Sequence, residues 1–145
     1  MTGGALAQVL VVGGGPAGAV AALVLARRGA DVLLLDRARF PRAKPCGQFV
    51  GVEGARLLAG LGLWEVVRGA GARPLTGVRI EAPDGSALLG PFPGGPDGTE
   101  NGPAAFGLDR KALDAALLDR ARLAGVRILE GLQVVGVEAG KGEVL

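Results

Sequence analysis

Histidine and tyrosine are absent from this sequence, and cysteine and tryptophan occur once each. A single cysteine, Cys46, excludes an internal disulfide, and a chain without histidine lacks the usual nitrogen ligand for zinc or haem. There is no run of Lys and Arg, aromatic residues make up 3% of the chain, and the formal net charge is +2. A nucleic-acid surface draws on clustered cations and stacking aromatics, so this balance argues against such a partner. Long apolar runs are missing too. The run Val9–Val12 ends at glycines and has no cationic segment before it. It is too short to span a bilayer and lacks the flanks of a signal peptide. The expectation is a soluble cytoplasmic chain, with peripheral membrane association left open.

What the chain does have is a globular balance: 49% hydrophobic and 21% charged residues. Its 145 residues suit one domain or the first part of a larger one. Gln8–Val12 is a short continuous apolar run, the pattern of a strand buried on both faces. Ala19–Arg28 is built from Ala, Leu and Val without a breaker. Pro16 suits its first turn, and Gly29 suits the position just past its end. Asp31–Asp36 reads as a second buried strand, and a helical connection makes the two strands parallel neighbours.

Arg37–Gly51 reads as an ordered loop. Glu53–Gly60 and Leu63–Arg68 read as short helices with Leu57, Leu58, Leu61 and Leu63 on their buried side and Trp64 as a packing anchor. Thr76–Ala82 alternates as a strand, Pro83–Ser86 is a turn, and Ala87–Leu89 returns as a hairpin arm. Pro91–Pro103 holds eight Gly or Pro in thirteen residues and reads as a surface loop. Asp109–Ala124 is the clearest later helix, with Asp109 as N-cap, Gly125 as its end, and Leu113, Ala116, Leu117, Arg120 and Ala121 on one face. Val126–Leu129 is a third short buried strand. Leu132–Ala139 follows as another strand, residues 140–142 as a turn and residues 143–145 as the start of a return strand.

The motif with chemical content is Gly13-x-Gly15-x-x-Gly18. Alone it is weak in a chain with 27 glycines. Here it has a strand before it, a helix after it, a second strand, and Asp36 at that strand's end. Gly13 permits the tight turn, Gly15 lets a pyrophosphate approach the backbone, and Gly18 lets the helix pack on the strands. Free N–H groups around Pro16, Ala17 and Gly18 then face the phosphates at the positive end of the helix dipole. Asp36 can accept hydrogen bonds from both ribose hydroxyls of an adenosine and would repel a 2′-phosphate, which disfavours NADP. Arg37 is a cation that could offset that repulsion. The fold class is therefore α/β, a Rossmann-like βαβ dinucleotide-binding unit. The glycine turn by itself does not separate FAD from NAD.

Downstream of the acid stands Phe40-Pro41-Arg42-Ala43-Lys44-Pro45-Cys46-Gly47, and later Asp109-Arg110-Lys111-Ala112-Leu113-Asp114 and Gly125-Val126. With the glycine turn, these segments resemble the geranylgeranyl reductase-like flavoproteins, relatives of the aromatic hydroxylase class of FAD enzymes. The resemblance runs from Gln8 to about Val137. It implies FAD as cofactor, with NAD(P)H or another electron donor. It also implies roles by position. The backbone at Gly15, Ala17 and Gly18 would hold the pyrophosphate, and Asp36, with Arg37 beside it, the adenosine ribose. Cys46 and Gly47 would lie along the extended FAD toward the flavin. Arg110 would reach the pyrophosphate or ribityl region, and Val134 would offer backbone groups to the adenine edge. Each has a plainer alternative: Arg110 as a solvated cation, Val134 as core, Cys46 as a small hydrophobe. Arg42 and Lys44 read as loop cations, or as cations near an anionic substrate or the flavin.

A second FAD motif of that family, a G-D segment, lies downstream of the matched region and is not among these residues, nor is most of the family's substrate domain. The resemblance therefore implies the N-terminal portion of a flavin-dependent oxidoreductase. Residues 1–75 would be the FAD-binding βαβ unit and its motif loop. Residues 76–108 would begin a β-rich substrate domain, and residues 109–145 would return to the FAD-binding domain. The whole enzyme would act on a small organic molecule, by reducing an isoprenoid double bond or hydroxylating an aromatic ring. A lipid substrate would bring it to a membrane surface. The 145-residue chain alone is expected to be inactive and to self-associate through an open edge strand. The alternatives are a non-catalytic nucleotide-binding module and an NAD-binding dehydrogenase domain.

Overall fold

The computed structural model describes residues 7–92 and 105–138. The loop expected at residues 91–103 lies almost wholly outside them, as do the turn at residues 140–142 and the return strand at residues 143–145. The chain divides into two compact units, one of Met1–Arg42 with Asp114–Leu145 and the other of Ala43–Leu113.

The first unit carries the βαβ element. Strand β1 (Val9–Val12) leads into helix α1 (Pro16–Arg27) and then strand β2 (Val32–Asp36). The helical crossover makes β1 and β2 parallel, with Val9 opposite Val32 and Val12 opposite Leu35. Pro16 opens α1, where a missing N–H costs no hydrogen bond. Gly29, at φ +89°, closes it: its N–H reaches Ala26 O at 2.9 Å, and the N–H of Ala30 reaches Leu25 O at 3.2 Å. This paired reversal satisfies the last carbonyls and needs a left-handed residue, which glycine supplies without strain.

Strand β8 (Arg127–Glu130) pairs parallel with β2 on the side away from β1, giving the order β1-β2-β8. Helix α4 (Arg110–Leu123) precedes it and ends in the same paired reversal at Gly125. The first unit's apolar core comprises Ala19, Ala22, Leu23, Val32, Leu33, Leu34, Leu117, Leu118, Ala121 and Val126.

Burial corrects two expectations here. Only the central strand β2 is mostly buried, with Leu35 half-buried and its other four residues buried. In β1, Leu10 and Val12 stand exposed, and in β8 Leu129 does. The outer strands of a three-stranded order have a neighbour on one side only, and apolar content does not reveal that position. On α4, Arg120 is exposed, while Leu118 and Asp114 are buried. A third correction concerns residues 132–138, which form no strand. Val135 is 92% exposed. Alternating hydrophobicity makes a strand only when a neighbour accepts its ladder. Here the N–H of Leu132 donates to Asp36 O at 3.0 Å, but no ladder follows among the described residues.

In the second unit, strand β3 (Phe49–Val50) is followed by helices α2 (Val52–Gly60) and α3 (Trp64–Gly69). Strand β4 (Arg73–Pro74) and strand β7 (Phe106–Gly107) complete a small antiparallel sheet in the order β3-β7-β4. Phe106 is fully buried there, and Trp64 meets its ring edge-on at 5.9 Å between centroids, which supports the anchor role expected of Trp64. Ala55, Leu58, Leu63 and Val67 form the buried side of α2 and α3; Leu57, expected there, is 61% exposed. The hairpin has strand β5 (Gly77–Glu81) against strand β6 (Ala87–Pro91), with Glu81 opposite Ala87. Asp84 holds its turn by accepting the N–H of Ser86 at 2.9 Å and its hydroxyl at 2.7 Å.

Candidate functional site

In the first unit the parallel strands β1 and β2 end together, at Val12 and Asp36, and the glycine turn starts there. The N–H of Gly13 extends the pairing by donating to Leu35 O at 2.8 Å. Gly13 then takes φ +105°, the left-handed reversal expected of it. Gly18 sits against that reversal: a Cβ built on it would lie 1.8 Å from Gly13 O and 3.5 Å from Val11 Cγ1. Only a hydrogen fits between the helix and the turn. A Cβ on Gly15, by contrast, would meet nothing nearer than Arg42 Nη2 at 3.9 Å.

The first helical hydrogen bond runs from Ala19 N to Gly15 O, at 2.9 Å. The N–H groups of Ala17 and Gly18 precede it, so the helix does not use them, and Pro16 has none to satisfy. Open space at Gly15 beside unspent donors at the positive end of α1 fits a pyrophosphate.

Asp36 is buried at the end of β2. Its Oδ2 accepts the N–H of Gly14 at 2.6 Å, and its Oδ1 accepts the N–H of Ala38 at 2.7 Å. The carboxylate thus ties the glycine turn to the end of its strand. An ionised carboxylate offers about four acceptor positions, so two main-chain bonds leave capacity for ribose hydroxyls. Arg37 follows on a bend with its side chain exposed.

Two members of this neighbourhood escaped the sequence reading. Gly14 stands at an unspecified position of the motif, yet it is buried, and a Cβ there would lie 3.3 Å from Leu34, Phe40 and Leu118. Arg42, read as a loop cation or a cation near an anionic substrate or the flavin but not tied to Asp36, places Nη2 3.9 Å from Asp36 Oδ2 and its guanidinium carbon 4.8 Å from the centre of the Phe40 ring. A cation a few residues past the acid was the available signal, but loop geometry decides where it points.

Val134, half-buried, belongs to this unit as well, but to an irregular segment rather than to a strand. Its backbone groups are therefore not committed to a ladder.

In the second unit the structure brings Cys46 and Arg110 together. Arg110 Nη1 donates to Cys46 Sγ at 3.4 Å, with Gly47 exposed alongside. The thiol is held below its ordinary pKa, first by the main-chain N–H of Gln48 and then by Arg110. Both donors favour the thiolate. Gln48 adopts φ +52°, an uncommon conformation for a residue with a side chain. Asp109 caps α4 as expected, its Oδ1 accepting the N–H of Lys111 at 2.8 Å. Cys46 is exposed rather than a small buried hydrophobe. Among the described residues no group of His, Cys, Asp or Glu is placed to hold a metal, and no helix is long and apolar enough to cross a membrane.

Comparison with known proteins gives this geometry a context. The FAD binding domain family matches residues 6–145. The digeranylgeranylglycerophospholipid reductase 1 of Methanothermobacter thermautotrophicus is 35% identical over 132 residues, covering 90% of this chain and 31% of that protein. The menaquinone reductase of Mycobacterium tuberculosis (strain CDC 1551 / Oshkosh) is 52% identical over 60 residues, 40% of this chain and 15% of its own length. Among solved structures, the myxobacterial chondrochloren halogenase, an FAD-dependent halogenase, superposes with a TM-score of 0.80 at 29% identity. That match covers 92% of this chain and 30% of the halogenase. The chain therefore spans a third or less of each of these proteins. The cofactor is FAD, and the fold is the Rossmann-like α/β fold of FAD-dependent oxidoreductases.

Proposed function

We propose that this chain, which belongs to the FAD binding domain family, is the FAD-holding part of a reductase that saturates isoprenoid double bonds in a lipid substrate. The observation that carries the cofactor half is the glycine turn. It is pinned to Asp36 through the 2.6 Å bond from Gly14, and it leaves open space at Gly15 before unspent helix donors. The likeness to the digeranylgeranylglycerophospholipid reductase along 90% of the chain, and to the menaquinone reductase along its best-matching stretch, supports the substrate half. The first name describes reduction of a digeranylgeranyl lipid, and the second reduction of menaquinone.

FAD, when bound, supplies hydride transfer, with electrons drawn from NAD(P)H or another donor. The chain's own residues bind and orient. Gly15, Ala17 and Gly18 receive the pyrophosphate, Asp36 accepts from the adenosine ribose with Arg37 at its side, and Val134 offers backbone groups to the adenine. Cys46, Gly47 and Arg110 serve the flavin half. A lipid substrate would bring the whole protein to a membrane surface.

A second reading is hydroxylation or halogenation of an aromatic ring; the likeness to the FAD-dependent halogenase supports the halogenating chemistry. Two measurements test the proposal. The purified chain, titrated with FAD, should perturb the flavin absorbance spectrum; a chain that leaves the free-FAD spectrum unchanged is a different nucleotide module. The full-length protein, given a reductant and a geranylgeranyl lipid, should yield a product heavier by two hydrogens per saturated bond. An unchanged lipid, together with an aromatic probe that gains oxygen or halogen, would replace the first reading by the second.

A further inference from the structure

The geometry points to Arg42 as a pyrophosphate-binding residue: its guanidinium is the full positive charge that completes the glycine turn of the first unit. This inference rests on the FAD-binding reading and assigns a residue that the glycine motif does not contain.

The argument begins from charge. A dinucleotide pyrophosphate carries two negative charges, and the turn meets it with N–H dipoles alone. The nearest charged neighbour in the turn is the carboxylate of Asp36, held 2.6 Å from Gly14 N. That carboxylate takes one turn donor for itself and repels an incoming phosphate. Arg42 Nη2 lies 3.9 Å from Asp36 Oδ2 on one side and 3.9 Å from the Cβ position of Gly15 on the other. The guanidinium therefore stands between the acid expected to hold the ribose and the glycine where the phosphate approaches.

Its state supports the same conclusion. The side chain is 19% exposed, and its Nε is buried without a hydrogen-bond partner among the described residues. The Asp36 contact, at 3.9 Å, is at the long limit of an ion pair rather than a bidentate fork. The guanidinium carbon lies 4.8 Å from the centre of the Phe40 ring, a cation–π contact that supplies no anionic acceptor. A guanidinium has five donors in a rigid fork. This one is partly desolvated and under-used, and what it lacks is an anionic acceptor on the side facing Gly15. A phosphate oxygen supplies one.

The test uses the 145-residue chain and three probes: FAD, ADP, which carries the pyrophosphate, and adenosine, which does not. For Arg42→Gln, ADP and FAD affinities should fall by about tenfold or more, as expected for a lost charge-assisted bond, with adenosine changed less than about twofold. The slope of ADP affinity against salt should also flatten. Equal ADP affinity in wild type and variant would overturn the inference. So would a parallel loss of ADP and adenosine, which would mean that Arg42 acts only by holding Asp36. Should Arg42→Gln fail to fold, the wild-type chain decides. The side-chain Nε–H resonance of Arg42, assigned by its absence in Arg42→Lys, should move on saturation with ADP and not with adenosine. A resonance that ADP leaves in place would refute the contact. If the folded wild-type chain binds neither FAD nor ADP, the FAD-binding reading itself fails, and Arg42 falls with it.

Discussion

The N–H of Gly14 donates to Oδ2 of Asp36 at 2.6 Å across 22 positions of sequence, so the acid at the end of β2 is part of the glycine turn and not only a neighbour of it. A carboxylate proposed to recognise ribose thus also fixes the loop proposed to receive the phosphates. On that proposal, ligand recognition and turn geometry are coupled in one side chain. Substitutions there act on both.

Asp36→Ala should weaken FAD binding by more than the ribose bonds alone. Charge-assisted hydrogen bonds contribute about 1.5–3 kcal/mol, roughly ten- to hundredfold in affinity. The freed N–H groups of Gly14 and Ala38 would add a stability loss of about 1–3 kcal/mol for each that stays buried. Flavin titration and urea denaturation of the same variant read the two effects. Affinity equal to wild type would show that Asp36 serves the turn only.

Cys46 should titrate below free cysteine, whose pKa is about 8.5. The Gln48 main-chain N–H and Arg110 both stabilise the thiolate, so the folded pKa is depressed and the reactive form appears at lower pH. The rate of iodoacetamide labelling against pH should therefore inflect below the value for a free thiol. Arg110→Gln should move that inflection upward, and Cys46→Ser should abolish labelling. An inflection indifferent to Arg110 would show that the 3.4 Å contact has no electrostatic consequence.

The parts of this fold that were legible beforehand are those fixed by local chemistry. The helix starting at Pro16 and stopping at Gly29, the hairpin turn around Asp84 and the N-cap at Asp109 each follow from residues whose backbone or side chain admits few alternatives. The glycine turn was legible for the same reason. What was not legible depends on neighbours. The exposure of Leu10 and Val12 follows from the place of β1 in the sheet order, and that of Leu57 from which turn of α2 faces its unit's core. The strands Arg73–Pro74 and Phe106–Gly107 have two residues each, too short for any periodicity to register. At Val134 the alternation of residues 132–138 suggested a strand, but alternation does not supply a pairing partner. Arg42 and Gly14 join the candidate site through contacts that no spacing rule encodes.

Gly15 and Gly18 should respond in opposite ways to added side chains, although both are motif glycines. At Gly18 a Cβ would fall 1.8 Å from Gly13 O and 3.0 Å from Gly13 C. Those are backbone atoms, and Gly13 is anchored by its 2.8 Å bond to Leu35 O, so neither partner can rotate away as a side chain would. To admit a methyl group, α1 must lift from β1 or the turn must detach from β2. Gly18→Ala should therefore destabilise the chain by about 1–3 kcal/mol, the usual cost of overpacking, and weaken FAD binding as a consequence. Gly15 has extended backbone, φ −69° and ψ 179°, which β-branched residues accept, and its Cβ direction is empty to 3.9 Å. Gly15→Val should keep the wild-type urea midpoint and lose FAD binding, because the valine occupies the space proposed for the pyrophosphate. Measuring both variants by denaturation and by flavin titration separates architecture from ligand contact. A Gly15→Val chain that still binds FAD tightly would mean that the phosphates lie elsewhere. A Gly18→Ala chain as stable as wild type would mean that helix and turn do not approach as closely as 1.8 Å implies.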